Sequence, residues 1–99
     1  MSHLICYDIS KNNLRAKCGK KIIESGLDRI NKSVYLGTIS DSSLKKLESE
    51  LAQLLQKGMP QDSLIILPIT ISSVQQMRIY GRNDLDKEEL TGEKDTIIL

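Results

Sequence analysis

The chain has 99 residues, of which 27% are charged and 39% hydrophobic, with a formal net charge of +1. That length predicts one domain with a modest core, to which a second copy would add buried area. Near-neutrality excludes a uniformly basic or acidic polyelectrolyte. With no Trp, no Phe and three Tyr, the core has to be aliphatic.

Residues 3 to 8 read as a short strand. The apolar run Leu4, Ile5, Cys6, Tyr7 stops at an acid, Asp8, which is either a turn residue or a ligand held at a sheet's end. Ser10 is placed to cap a helix. From Leu14 to Ser25 the apolar residues Leu14, Cys18 and Ile22 recur every four positions and form one helical stripe, with most Lys and Arg off it. Gly26 ends that helix in the left-handed conformation. Residues 27 to 39 are strand-like on both sides of Asn31 and Lys32, predicting a hairpin or a bent strand.

Ser40 or Asp41 then caps a second helix. Leu44, Leu47, Leu51, Leu54 and Leu55 form its apolar face, and Gly58-Met59-Pro60 closes it. Residues 62 to 69, "DSLIILPI", read as a buried strand in which Pro68 must lie at an edge or near the end. The stretch "MRIY" within residues 71 to 81 predicts a fifth strand. "LIILPITI" is the longest apolar stretch and contains a Pro, so neither a membrane span nor a leader is expected. Cys6 and Cys18 fit reduced core positions in a cytoplasmic protein better than a disulfide framework.

The order strand, helix, strand, strand, helix, strand is the split βαβ, ferredoxin-like pattern, an α+β fold with helices on one face of the sheet. The expected division is a ferredoxin-like domain over residues 1–81 and an acidic C-terminal tail over 82–99 with a terminal strand at Thr96 to Leu99. Charge is unevenly spread. Residues 11 to 32 hold seven cations (Lys11, Arg15, Lys17, Lys20, Lys21, Arg29, Lys32) against Glu24 and Asp28, a net of +5. Residues 83 to 99 hold six acids against Lys87 and Lys94, a net of −4. A basic front and an acidic tail point to two different partners, or to two solvated faces.

"YDIS" at the end of the first strand, "NLR" in the basic helix, "GLDRINKSVYLG" and the Pro-containing "DSLIILPI" together resemble the CRISPR-associated protein 2 family over residues 3 to about 81. The resemblance implies a homodimer whose sheets pack face to face. It implies a subunit of spacer acquisition that bridges two dimers of the CRISPR integrase and holds protospacer DNA on its basic surface. It also implies a metal-dependent nuclease activity on RNA or duplex DNA that varies across the family, with Asp8 as the Mg²⁺-binding, catalytic acid. Arg15, Lys17, Arg29 and Tyr35 match its nucleic-acid-binding positions. Lys17 stands where relatives often carry Arg and so lacks the bidentate fork. Tyr35 stands where Phe is common, and Leu36 replaces a frequent acid.

One carboxylate is a poor Mg²⁺ site, because the ion wants six oxygens and takes one or two carboxylates plus water and phosphate. A two-fold dimer would supply Asp8 twice. His3 reads as an ordinary strand residue near the terminus, and Ser33 as a residue near a bend. The apolar tip Ile97, Ile98 and Leu99 reads as a partner-binding strand for the integrase, or one tucked onto its own dimer. Two further classes share the element order. An RNA-binding module would stack bases on Tyr7 and Tyr35, although the usual aromatic signature is missing from "NKSVYLGT". A toxin-like ribonuclease resembling virulence-associated protein D would act without an integrase.

Overall fold

The computed structural model describes residues 2–81. Its elements are β1 (Ser2–Asp8), α1 (Asn12–Glu24), β2 (Asp28–Asn31), β3 (Val34–Thr38), α2 (Asp41–Leu55), β4 (Ser63–Ile69) and α3 (Ile71–Gln75). The four strands form one antiparallel sheet in the order β2-β3-β1-β4. This is the expected ferredoxin-like arrangement, with β1 and β3 central.

Period-two alternation sorts each strand into two faces. Ile5 pairs with Tyr35 on one side and Ile66 on the other, and all three join the core beneath α1 and α2. Leu4 pairs with Leu36 and Leu67, and this row faces the opposite way. The helix-covered core is aliphatic apart from Tyr35: Ile5, Leu14, Cys18, Ile22, Leu27, Leu47 and Leu51 are all buried.

Both long helices use the expected stripes, but their caps differ. Ser40 accepts a hydrogen bond from the Ser43 amide at 3.2 Å and caps α2, with Asp41 in the first turn against the helix dipole. The cap position of α1 falls on Lys11, whose side chain makes no capping bond. Ser10 does not cap α1 as expected. Its amide and hydroxyl donate to Asp62 Oδ1 at 3.1 and 2.9 Å, while Asp62 Oδ2 accepts from the Met59 amide at 2.9 Å. Led by the Met59 amide, these donors hold the Asp62 carboxyl below its usual range. Asp62 therefore clamps the loop after β1 to the loop before β4. Gly26 lies at φ 100° and stops α1, as expected.

Ser33, at φ 61°, turns the chain between β2 and β3, and its carbonyl accepts from the Tyr7 amide at 3.1 Å. A register shift between Arg29 and Asn31 bends the short β2. Pro68 lies on β4, an edge strand, as its missing N–H requires.

The expected fifth strand at "MRIY" is absent: residues 77–80 carry no strand, and α3 precedes them. Thr70 caps α3 by accepting from the Ser73 amide at 3.1 Å. Val74 is buried against Leu36, with Leu4, Ile30, Ile69 and Met77 around them. Extended backbone needs a neighbouring strand for its ladder. The described sheet ends at β2 and β4 without pairing to residues 77–80, and the Met77 amide instead donates to the Val74 carbonyl at 3.1 Å, while Val74 covers an apolar row. The acidic tail and its apolar tip lie outside the described residues.

Candidate nucleic-acid interface and strand-end acid

α3 covers only part of the second sheet face. Further along β4, Ile65 and Leu67 remain 55% and 49% exposed. They pair with Cys6 and Leu4 of β1, so an apolar strip crosses the two strands. Asp8 ends this strip. It is exposed, opposite Ser63 on β4, on the same face as Cys6 and Leu4. The Asp8 carboxylate makes no hydrogen bond or ion pair among the described residues.

Among the described residues no three His, Cys, Asp or Glu side chains gather into a ligating group. At this strand end the described residues thus offer Mg²⁺ one carboxylate, which fits half of a shared site rather than a complete one. His3, paired with Gly37 and Pro68, lies at the other end of β1 from Asp8 and is no partner base for it. Its Nδ1 is buried without a hydrogen-bond partner among the described residues.

The cations gather elsewhere. A cleft of about 460 Å³ runs between α1 and the β2–β3 hairpin. Asn12, Arg15, Ala16, Gly19, Lys20 and Ile23 form its helix wall, and Arg29, Lys32 and Ser33 its hairpin wall. The helix residues recur at three- and four-residue spacing, so they share one face. Tyr7 and Tyr35 form the floor. Their hydroxyls lie 3.0 Å apart and their rings stack at 5.9 Å between centroids. The Tyr7 hydroxyl also lies within 3.3 Å of the Arg15 carbonyl, and either hydroxyl can be the donor within the tyrosine pair. Burial, and then the bond to Tyr35, push the Tyr7 hydroxyl up to about 12.

Gly19 makes this pair possible. A Cβ there would sit 2.7 Å from the Tyr35 hydroxyl and 3.1 Å from that of Tyr7. Four cations and no acid line the cleft. Arg15 donates to Asn12 Oδ1 within its own helix.

Of the sequence-predicted binding residues, the cleft brings together Arg15, Arg29 and Tyr35. Lys17 is exposed outside it. Tyr35 is only 3% exposed, so its ring is structural floor rather than a stacking platform. Tyr7 and Tyr35 both lie on the helix-covered face, which leaves the base-stacking module without its open aromatic surface. Lys20, Lys32 and Gly19 were not singled out by sequence reasoning. The helical spacing of Ala16, Lys20 and Ile23 separates Lys20 from Lys17 once the hairpin is known to flank that side. Ile97, Ile98 and Leu99 lie outside the described residues.

A family model described as CRISPR associated protein Cas2 matches residues 1–77. A curated relative from Aeropyrum pernix, named CRISPR-associated endoribonuclease Cas2, is 33% identical over 79% of this chain and 80% of its own. One of the same name from Korarchaeum cryptofilum is 29% identical over 80% of this chain and 83% of its own. The crystal structure of Streptococcus pyogenes Cas2 superposes with a TM-score of 0.70 at 17% identity, covering 82% of this chain and all of that one. At that identity the likeness speaks for the fold. No described helix is long and apolar enough to cross a membrane.

Proposed function

Because the chain belongs to the CRISPR-associated protein Cas2 family, we propose that it is a homodimeric spacer-acquisition subunit that binds protospacer DNA and bridges integrase dimers. The observation that carries this reading is the open, acid-tipped sheet face. A strip containing Ile65 and Leu67 at about half exposure is the part of the described surface that a second copy would cover. A two-fold pairing through it doubles the basic surface made by α1 and the hairpin, as DNA bridging requires. The same pairing sets two copies of Asp8 on facing strips, each free of protein partners.

Mg²⁺-dependent cleavage is the second activity in this reading, and the names of the curated relatives make RNA the first substrate to try. The two Asp8 carboxylates would hold the ion between the chains. Bound there, Mg²⁺ supplies charge neutralisation at a phosphoryl centre and an activated water. Each chain's own share is one exposed carboxylate at a strand end, braced by the Asp62 clamp on the adjoining loops.

Three measurements test the proposal. Sedimentation at micromolar concentration gives a dimer, and a stable monomer rejects it. Asp8→Asn abolishes Mg²⁺-dependent cleavage of RNA and duplex DNA while leaving fold and DNA binding intact. A variant that cleaves at the parental rate removes Asp8 from the chemistry. Deletion of residues 95–99 leaves the dimer's melting unchanged but prevents capture of the integrase, if Ile97, Ile98 and Leu99 form the docking strand. A lower melting point would place that strand on the dimer itself.

A further inference from the structure

The cations of the basic segment fall into different situations. Lys21 points away from the cleft and pairs with Glu50 of α2 at 2.8 Å. Lys11 donates to the Lys57 carbonyl at 2.8 Å. Each is engaged in holding one part of the fold to another. Lys20 and Lys32 face each other's elements across the cleft, one on α1 and one on the hairpin, and have no acid partner among the described residues. Two like charges that border a common hollow repel unless an anion lies between them.

We infer that the cleft between α1 and the β2–β3 hairpin is a phosphodiester track, in which Lys20 and Lys32 hold backbone phosphates beside Arg15 and Arg29 while Lys17 stays off the path. The inference rests on the DNA-binding reading above and deepens it by naming the route and two residues.

The walls suit a chain of phosphates. Cations stand on both sides, so a strand passing between them meets charge from the helix and from the hairpin at once, which a flat patch does not provide. The floor adds no acid to the walls, and burial holds the Tyr7 hydroxyl protonated. Gly19 keeps the middle of the helix wall free of side-chain bulk. Ile23, 54% exposed on the same wall, gives an apolar surface for the sugar. None of these features reads a base edge, so the track is indifferent to sequence. DNA and RNA share the phosphodiester chemistry, and the two are separated by the probes.

The test measures fluorescence anisotropy of labelled duplex DNA, single-stranded DNA and single-stranded RNA of mixed sequence, each titrated at several salt concentrations. The parent is compared with K20Q/K32Q, K20R/K32R and K17Q, with thermal melts confirming that each is folded. For every cleft a strand crosses, K20Q/K32Q loses two phosphate contacts. The slope of log affinity against log salt becomes shallower by about 1.8 for a duplex and about 1.4 for a single strand. K20R/K32R retains the parental slope, and so does K17Q. The probe that shows the loss identifies the backbone carried. An unchanged slope in K20Q/K32Q, or an equal loss in K17Q, overturns the track while leaving nucleic-acid binding in place. A parent that binds none of the probes overturns both the track and the DNA-binding reading.

Discussion

The two faces of the sheet are built from neighbouring residues and meet opposite fates. On one face Ile5, Tyr35 and Ile66 lie in register under α1 and α2, and Ile5 is fully buried. On the other, Cys6 pairs with Ile65 and Leu4 with Leu67, and both β4 residues stay about half exposed although their side chains are as apolar as those behind them. Hydrophobicity alone does not distinguish the two sets. The covered face and the Leu36–Val74 cluster specify the fold, whereas the stretch of the second face that α3 leaves bare, ending at Asp8, has no cover among the described residues.

Substitutions should expose that difference. Ile5→Ala leaves a cavity in the covered face and costs about 2–5 kcal/mol in denaturant unfolding. I65D/L67D should leave the far-ultraviolet circular dichroism spectrum intact and abolish self-association in sedimentation. If instead it unfolds the chain, the open face is core and the comparison breaks.

A smaller effect is expected where the covered face borders the cleft. Gly19→Ala pushes a Cβ to within 2.7 Å of the Tyr35 hydroxyl, and overpacking of this kind costs about 1–3 kcal/mol. Tyr35→Phe in the same chain removes the closest atom and should recover part of the loss, as a double-mutant cycle would show.

The Asp62 clamp should show itself through pH. Its carboxyl titrates below its usual range in the folded chain, chiefly because the Met59 amide donates to it. Its contribution to stability is therefore fully present above the ordinary carboxylate range and is lost as pH falls through the folded value. Asp62→Ala should melt below the parent at neutral pH, and the gap should close on acidification. A gap independent of pH would mean that the loops are held otherwise. The smallest effect belongs to Lys21→Gln, which removes an exposed pair with Glu50 that salt already screens.

What the sequence revealed, and what it hid, follows from how far apart the partners lie. The Leu14, Cys18 and Ile22 stripe, the Ser40 cap and the left-handed Gly26 depend on residues within a turn or two, and all three are found where their local chemistry puts them. Ser10 had the right chemistry for a cap, yet its hydroxyl is taken by Asp62, 52 residues away. "MRIY" alternates like a strand, but alternation says nothing about whether a sheet edge is within reach. Thr70 and Ser73, three apart, carried the competing signal for a helix start. The candidate site divides in the same way. Asp8 was legible as an acid that stops an apolar run. The cleft was not, because it takes a helix face and a hairpin to make it. Composition ranks Lys17 and Lys20 alike, and only the packing of α1 against the hairpin tells them apart.

Pro68 has a consequence for how copies of this chain meet. It lies on β4 at one rim of the sheet, and it has no backbone N–H to offer a newcomer. The other rim is β2, four residues long, irregular in register and bearing Asp28 and Arg29. Both rims are poor templates for rim-to-rim pairing, the route by which exposed strands grow into ribbons and fibres. In the proposed dimer, association would run through the flat of the sheet instead. A self-complementary flat surface is used up when two copies meet, so assembly through it is finite. The chain can leave aliphatic side chains exposed in quantity because its geometry limits what they can build.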